Sequence, residues 1–158
     1  MPQKMKTPIK ELSPNALEAL ERGRELAREQ GASCCATAHL IYGLTLDHLS
    51  LGNRILDDIN IYPEMFRDHL KKLPKETDPG DDDGLHPLVH LAICRGKEAK
   101  QKLRNSKEIT TDHVLLGLLS IKEGSAYECL KEFSVEPDEI AKEIVEAIGF
   151  DIADRPTW

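Results

Sequence analysis

Thr37-Ala38-His39-Leu40-Ile41-Tyr42-Gly43-Leu44 returns as Thr111-Asp112-His113-Val114-Leu115-Leu116-Gly117-Leu118, so the chain carries Thr-x-His-aliphatic-aliphatic-x-Gly-Leu twice. A stretch that returns at a fixed offset marks an internal repeat. The pairing continues downstream in the same register, with Leu56 facing Leu130, Ile61 facing Val135, Pro63 facing Pro137 and Leu70 facing Ile144. Upstream the offset is one residue shorter, Ala19 to Glu25 facing Ala92 to Glu98, which a single insertion before Thr111 explains. The chain reads as one unit, duplicated.

At 158 residues, with 40% hydrophobic and 31% charged residues, the chain suits one domain able to bury a core without disulfide or metal staples. Aromatics are only 4%, so the core must be aliphatic. The net charge of −7 argues against nucleic acid as a partner, because phosphate-backbone affinity comes from clustered Lys and Arg. No apolar run approaches the roughly 20 residues that span a bilayer, so no membrane association is expected. Met1 to Lys10 lacks the apolar stretch of a secretory signal, and the expected location is the cytoplasm or an organelle matrix.

Cys34, Cys35, Cys94 and Cys129 lack the Cys-x-x-Cys spacing of zinc and redox sites. His90 and Cys94 stand at helical i, i+4 and could seat two metal ligands. Buried thiols in a reducing compartment account for the same residues, so no metal and no cofactor are expected.

Taken in order, residues 1–12 read as a frayed lead-in. Ser13 and Pro14 supply a cap and a first-position proline for a helix to about Gln30, with Ala16, Leu17, Leu20, Gly23, Arg24 and Ala27 at helical spacing and Gly31 as its stop. Thr37 is the expected N-cap of a second helix to about Asp47. Ser50 caps a short third with Ile55, Leu56 and Ile59, and Pro63 opens a fourth with Met65, Phe66, His69, Leu70 and Leu73 inward. Pro74 to Gly84 holds two prolines, two glycines and five acids, and reads as a solvated linker. His86-Pro87 restarts the pattern. Thr111 caps the sixth helix, Gly124 precedes the seventh, and Pro137 opens the eighth, which ends at Gly149. The expected fold is all-α, eight helices in two four-helix halves. The expected boundaries are 13–73 for the first repeat, 74–85 for the linker, 86–149 for the second repeat and 150–158 for a tail. Recurrence of a glycine at 43 and 117, against a helix propensity cost of about 1 kcal/mol, points to helix crossings too close for a side chain.

These residues together resemble the Clp N-terminal repeat. Two copies make the N-terminal domain of Clp/Hsp100 unfoldases, the ClpC and ClpA types especially, and the resemblance runs from about Leu12 to Gly149. It implies a pseudo-twofold all-α domain that receives adaptor proteins or unfolded substrates beside an ATPase ring. In ClpC-type domains the signature reads Thr-Glu-His, and its Glu helps to bind phosphorylated arginine. Thr37, Ala38, Thr111 and Asp112 are therefore the partner-binding positions the resemblance implies. The first copy has lost its carboxylate and the second has one shortened by a methylene. His39 and His113 read as buried hydrogen-bonding residues.

No Gly-x-x-x-x-Gly-Lys-Ser/Thr phosphate loop occurs, and the chain stops where the family's first ATPase module would begin. A complete chain of this sequence is expected to be a free-standing Clp N-type protein that cannot unfold anything alone. The leading expectation is thus a non-catalytic interaction module, with Clp ATPase or peptidase subunits, adaptors or unfolded substrates as partners. The alternative is a sensor of a small ligand or modified residue in the groove between repeats. An enzyme would need Cys34 or Cys35 to act with His39 as its base. Acidic residues at 78–83 and at Glu128, Glu132, Glu136, Asp138 and Glu139 suggest steering of a basic partner.

Overall fold

Prolines and hydroxyls start most of the helices where the sequence places them. The computed structural model describes residues 7–72, 80, 84–103 and 107–148. Ser13 Oγ accepts the Ala16 amide at 3.2 Å ahead of α1 (Pro14–Glu29), and Ser50 Oγ accepts that of Asn53 at 3.0 Å ahead of α3 (Leu51–Asp58). Proline opens α4 (Pro63–Leu70), α5 (Pro87–Leu103) and α8 (Pro137–Ile148). The set is completed by α2 (Thr37–Thr45), α6 (Thr111–Leu119) and α7 (Ser125–Glu132), with one 3-10 turn at Ile9–Glu11. Among the described residues there is no strand, and the all-α, two-half architecture holds.

Helix ends repeat as well as helix starts. Asn60 and Ser134, at corresponding positions after α3 and α7, take left-handed backbone at φ 63° and 59°. Behind them the Ile61 and Val135 amides reach back to Leu56 and Leu130 carbonyls, which is how a Schellman cap satisfies a helix's last carbonyls. Gly31, at φ 69°, ends α1 in the same manner.

The core centres on α2 and α6, which are apolar on nearly every face. Each has eight of nine residues buried, the exceptions being Tyr42 and Asp112. Burial of that kind is what an all-round apolar helix demands. Each central helix lies against a long one at a crossing without side-chain room. A Cβ on Gly43 would stand 2.0 Å from the Ala19 carbonyl oxygen, and one on Gly117 2.1 Å from that of Ala92. The close approach expected from the recurring glycine is present in both halves.

The halves are interlocked. Leu12 pairs with Ile109 through the Ser13 and Ile109 amides, and Cys35 pairs with Leu85 through the Cys35 and His86 amides, all at 2.8–2.9 Å. The stretch before each long helix is thereby clipped to the stretch before the other half's central helix. The short helices cross over too: α3 packs on α6 and α8, α7 packs on α2, and Phe66 meets Phe133 edge-on at 5.3 Å.

Several expectations need correction. Leu12, assigned to a frayed lead-in, and Leu85, assigned to a solvated linker, are both buried, because their bridges carry them into the core. Thr37 and Thr111 do not cap their own helices; the capping positions are Ala36 and Thr110, one residue earlier. Leu17 is 42% exposed because it flanks the buried stripe of Ala16, Ala19, Leu20 and Gly23, and Ile59 is 45% exposed because it sits past the end of α3. Leu73, Gly149, the tail and the acidic residues at 78 and 81–83 lie outside the described residues.

Candidate functional site

Both histidines of the repeated signature are buried and act as local caps. The amide of Ala36 donates to His39 Nδ1 and that of Thr110 to His113 Nδ1, each at 2.9 Å. Burial, with Lys100 nearby, pushes the His113 imidazole down to about 4, against a weaker upward pull from its backbone hydrogen bond with Glu108. The imidazole is therefore neutral at pH 7, as an acceptor at Nδ1 must be.

The threonines and their neighbours face the other repeat. Thr37 Oγ1 accepts the Ala126 amide at 3.0 Å, and Ser125 Oγ accepts the Ala38 amide at 3.0 Å. Across the pseudo-twofold, the Asp112 carboxylate accepts the Leu51 and Gly52 amides at 3.0 and 2.7 Å, while Thr111 donates to Asp47 Oδ2 at 2.6 Å. The second helix of each repeat therefore caps the third helix of the other. Free N–H groups and the helix dipole at the start of α3 favour a carboxylate there. Burial nevertheless raises the Asp112 carboxyl above its ordinary value, opposed by the two amide bonds and reinforced by Asp47. Gly52 leaves room here, since a Cβ would stand 2.2 Å from Leu115 Cδ2 and 3.3 Å from Asp112 Oδ1.

Of the four positions implied for partner binding, Thr37, Ala38 and Thr111 are buried in this seam, Ala38 completely. Thr111 and Asp112 also border a groove of about 470 Å³ that Asp47 and Leu49 line as well. A second groove, about 570 Å³, runs between α1 and the end of α2, and Leu49 borders both. Leu49 is 84% exposed, in the turn Leu46–Ser50 held by the Ser50 and Leu49 amides on Asp47. Sequence reasoning missed Asp47 and Leu49. The available signal was a lapse in the repeat, where Leu46, Asp47 and Leu49 face Ser120, Ile121 and Glu123.

Thiol chemistry finds little support. Burial pushes both Cys35 and Cys129 up to about 12, far from the thiolate that a nucleophile or metal ligand requires. Among the described residues, no group of three or more His, Cys, Asp or Glu is placed to hold a metal ion.

Repeat, fold and seam together define a double-repeat all-α domain whose halves cap each other's third helices. The family model of the Clp repeat (R) N-terminal domain matches residues 11–133, and the chain belongs to that family. Its fold is that of the N-terminal domain of the chaperone ClpD from Arabidopsis thaliana, with a TM-score of 0.72 at 15% identity over 93% of this chain and 99% of that one. The Hsp104 N-terminal domain from Candida albicans gives 0.71 at 21% identity, over 92% and 99%. A ClpV N-domain in complex with a VipB peptide gives 0.64 at 15%, over 92% and 95%. No curated protein sequence matches significantly.

Proposed function

We propose that the chain is a protein-interaction module of the Clp quality-control system, receiving polypeptide substrates or adaptors or docking on Clp ATPase or peptidase subunits. The observation that carries this reading is Leu49, a large apolar side chain held 84% exposed on a hydrogen-bonded turn between two grooves. Concave surface that combines apolar and aromatic side chains with a few polar groups is the usual form of a binding site, and Leu49 stands where two such grooves meet. The peptide complex of the ClpV N-domain, a protein of the same fold, supports it. A permanently unfolded, fluorescein-labelled chain such as carboxymethylated α-lactalbumin should bind with rising anisotropy. Leu49→Ser should weaken that binding, and no binding by the unmodified protein would refute the reading.

The seam groove favours a second reading, a sensor of modified residues, because Thr111 and Asp112 border it. Both Asp112 oxygens already serve α3, and Ala38 has no acceptor, so we infer that phosphoarginine recognition is weak.

A further inference from the structure

The duplicated fold provides its own control for the groove between α1 and α2. In the second repeat, Arg95 on α5 reaches the end of α6 and donates to Ser120 O at 3.1 Å and to Ser120 Oγ at 2.9 Å. Its counterpart Arg22 does not do this. The position matching Ser120 is Leu46, with no side-chain acceptor, and Arg22 instead pairs outward with Glu18 and Glu25 at 3.3 and 3.4 Å. In the first repeat, where the arginine turns outward, an open groove of about 570 Å³ is lined by Ala19, Leu26 and Tyr42 and ended by Leu46 and Leu49.

The rim has a definite sign. Glu18, Glu25, Glu29 and Asp47 line it against Arg22 alone, four carboxylates to one guanidinium. The matching positions of the second repeat are Leu91, Glu98, Lys102, Ile121 and Arg95, one acid to two bases. An apolar floor inside an acidic rim complements a helix with an apolar stripe flanked by Lys or Arg.

We propose that the α1–α2 groove of the first repeat alone is a docking site for a basic amphipathic segment of a partner protein, its apolar residues on Tyr42 and Leu49 and its cations on Glu25 and Glu29. This rests on the interaction reading above and narrows it to one face and one chemistry. The second repeat's counterpart, with Arg95 laid across it and Glu123 in place of Leu49, does not take part.

The test is fluorescence anisotropy with three labelled peptides: a Leu/Lys amphipathic helix, the same sequence with Glu for Lys, and the Lys version with Ser for Leu. Only the Leu/Lys peptide should bind, more weakly as salt rises. Glu25→Lys with Glu29→Lys, both exposed, should weaken it about tenfold or more with the helical CD unchanged. Lys102→Glu should have no effect. Equal binding of the Leu/Glu peptide, or equal loss from Lys102→Glu, would overturn the proposal while leaving the interaction module standing. So would binding of unfolded α-lactalbumin with no binding of the Leu/Lys peptide. Failure of every peptide and of the unfolded chain would overturn both.

Discussion

Asp112 on α6 accepts the Gly52 amide of α3 at 2.7 Å, across 60 positions of sequence and across the repeat boundary. The carboxylate that resemblance would assign to a partner's guanidinium thus holds the domain's own helix. Asp112→Ala leaves the Leu51 and Gly52 amides without that acceptor, and the expected loss is about 1 to 3 kcal/mol by urea denaturation. Asp112→Asn, which keeps an acceptor oxygen, should cost less.

Gly43→Ala and Gly117→Ala should each destabilise by about 1 to 3 kcal/mol or more, although alanine favours helix by about 1 kcal/mol over glycine. The added carbon would stand 2.0 or 2.1 Å from a carbonyl oxygen of the facing helix, and backbone cannot yield as a side chain can. Gly96→Ala should be milder, its nearest atom being 3.1 Å away. Melting temperatures of the three variants check the order.

Features set by neighbours three or four positions apart were legible in the sequence. Pro14, Pro63, Pro87 and Pro137 marked helix starts, and the recurring glycine marked two close crossings. Contacts across the repeat boundary were not, because nothing in the spacing of Thr37 or Asp112 names an amide 89 or 60 residues away. Leu12 and Leu85 were misjudged for the same reason. Their polar neighbours suggested solvent, while their backbones pair with Ile109 and Cys35. The Leu49 turn is not legible from the repeat, because the groove lies where the copies differ, Leu46, Asp47 and Leu49 facing Ser120, Ile121 and Glu123.

His113 predicts the pH dependence. Its imidazole falls from 6.5 to about 4 on folding, so the unfolded chain binds the extra proton between those values. The contribution is fully present above pH 6.5 and is lost as pH falls through 4, about 3 kcal/mol in all. Asp112 acts with the opposite sign: its raised carboxyl favours the fold below the ordinary carboxylate value and ceases to as pH rises through the folded value. Urea midpoints from pH 4 to 7 should rise with pH, and His113→Asn should flatten the slope. An unchanged slope in that variant would assign the effect to other groups.

Phosphoarginine should show no saturable binding at micromolar concentrations by calorimetry. A guanidinium would have to compete with two backbone amides for Asp112 and would find no acceptor at Ala38. Losing a charge-assisted hydrogen bond costs about 1.5 to 3 kcal/mol, tenfold or more in affinity. Tight binding would place the acceptors elsewhere.

Reciprocal capping is tested most directly by amide hydrogen exchange at the first residues of α3 and α7. The opening amides of a helix ordinarily exchange rapidly because they have no partner within it. Here Leu51, Gly52 and Ala126 donate to Asp112 and Thr37 of the opposite repeat. All three should be protected, and Asp112→Ala should release Leu51 and Gly52 while leaving Ala126 slow. Exchange of all three at the rate of solvent-exposed amides would contradict the account.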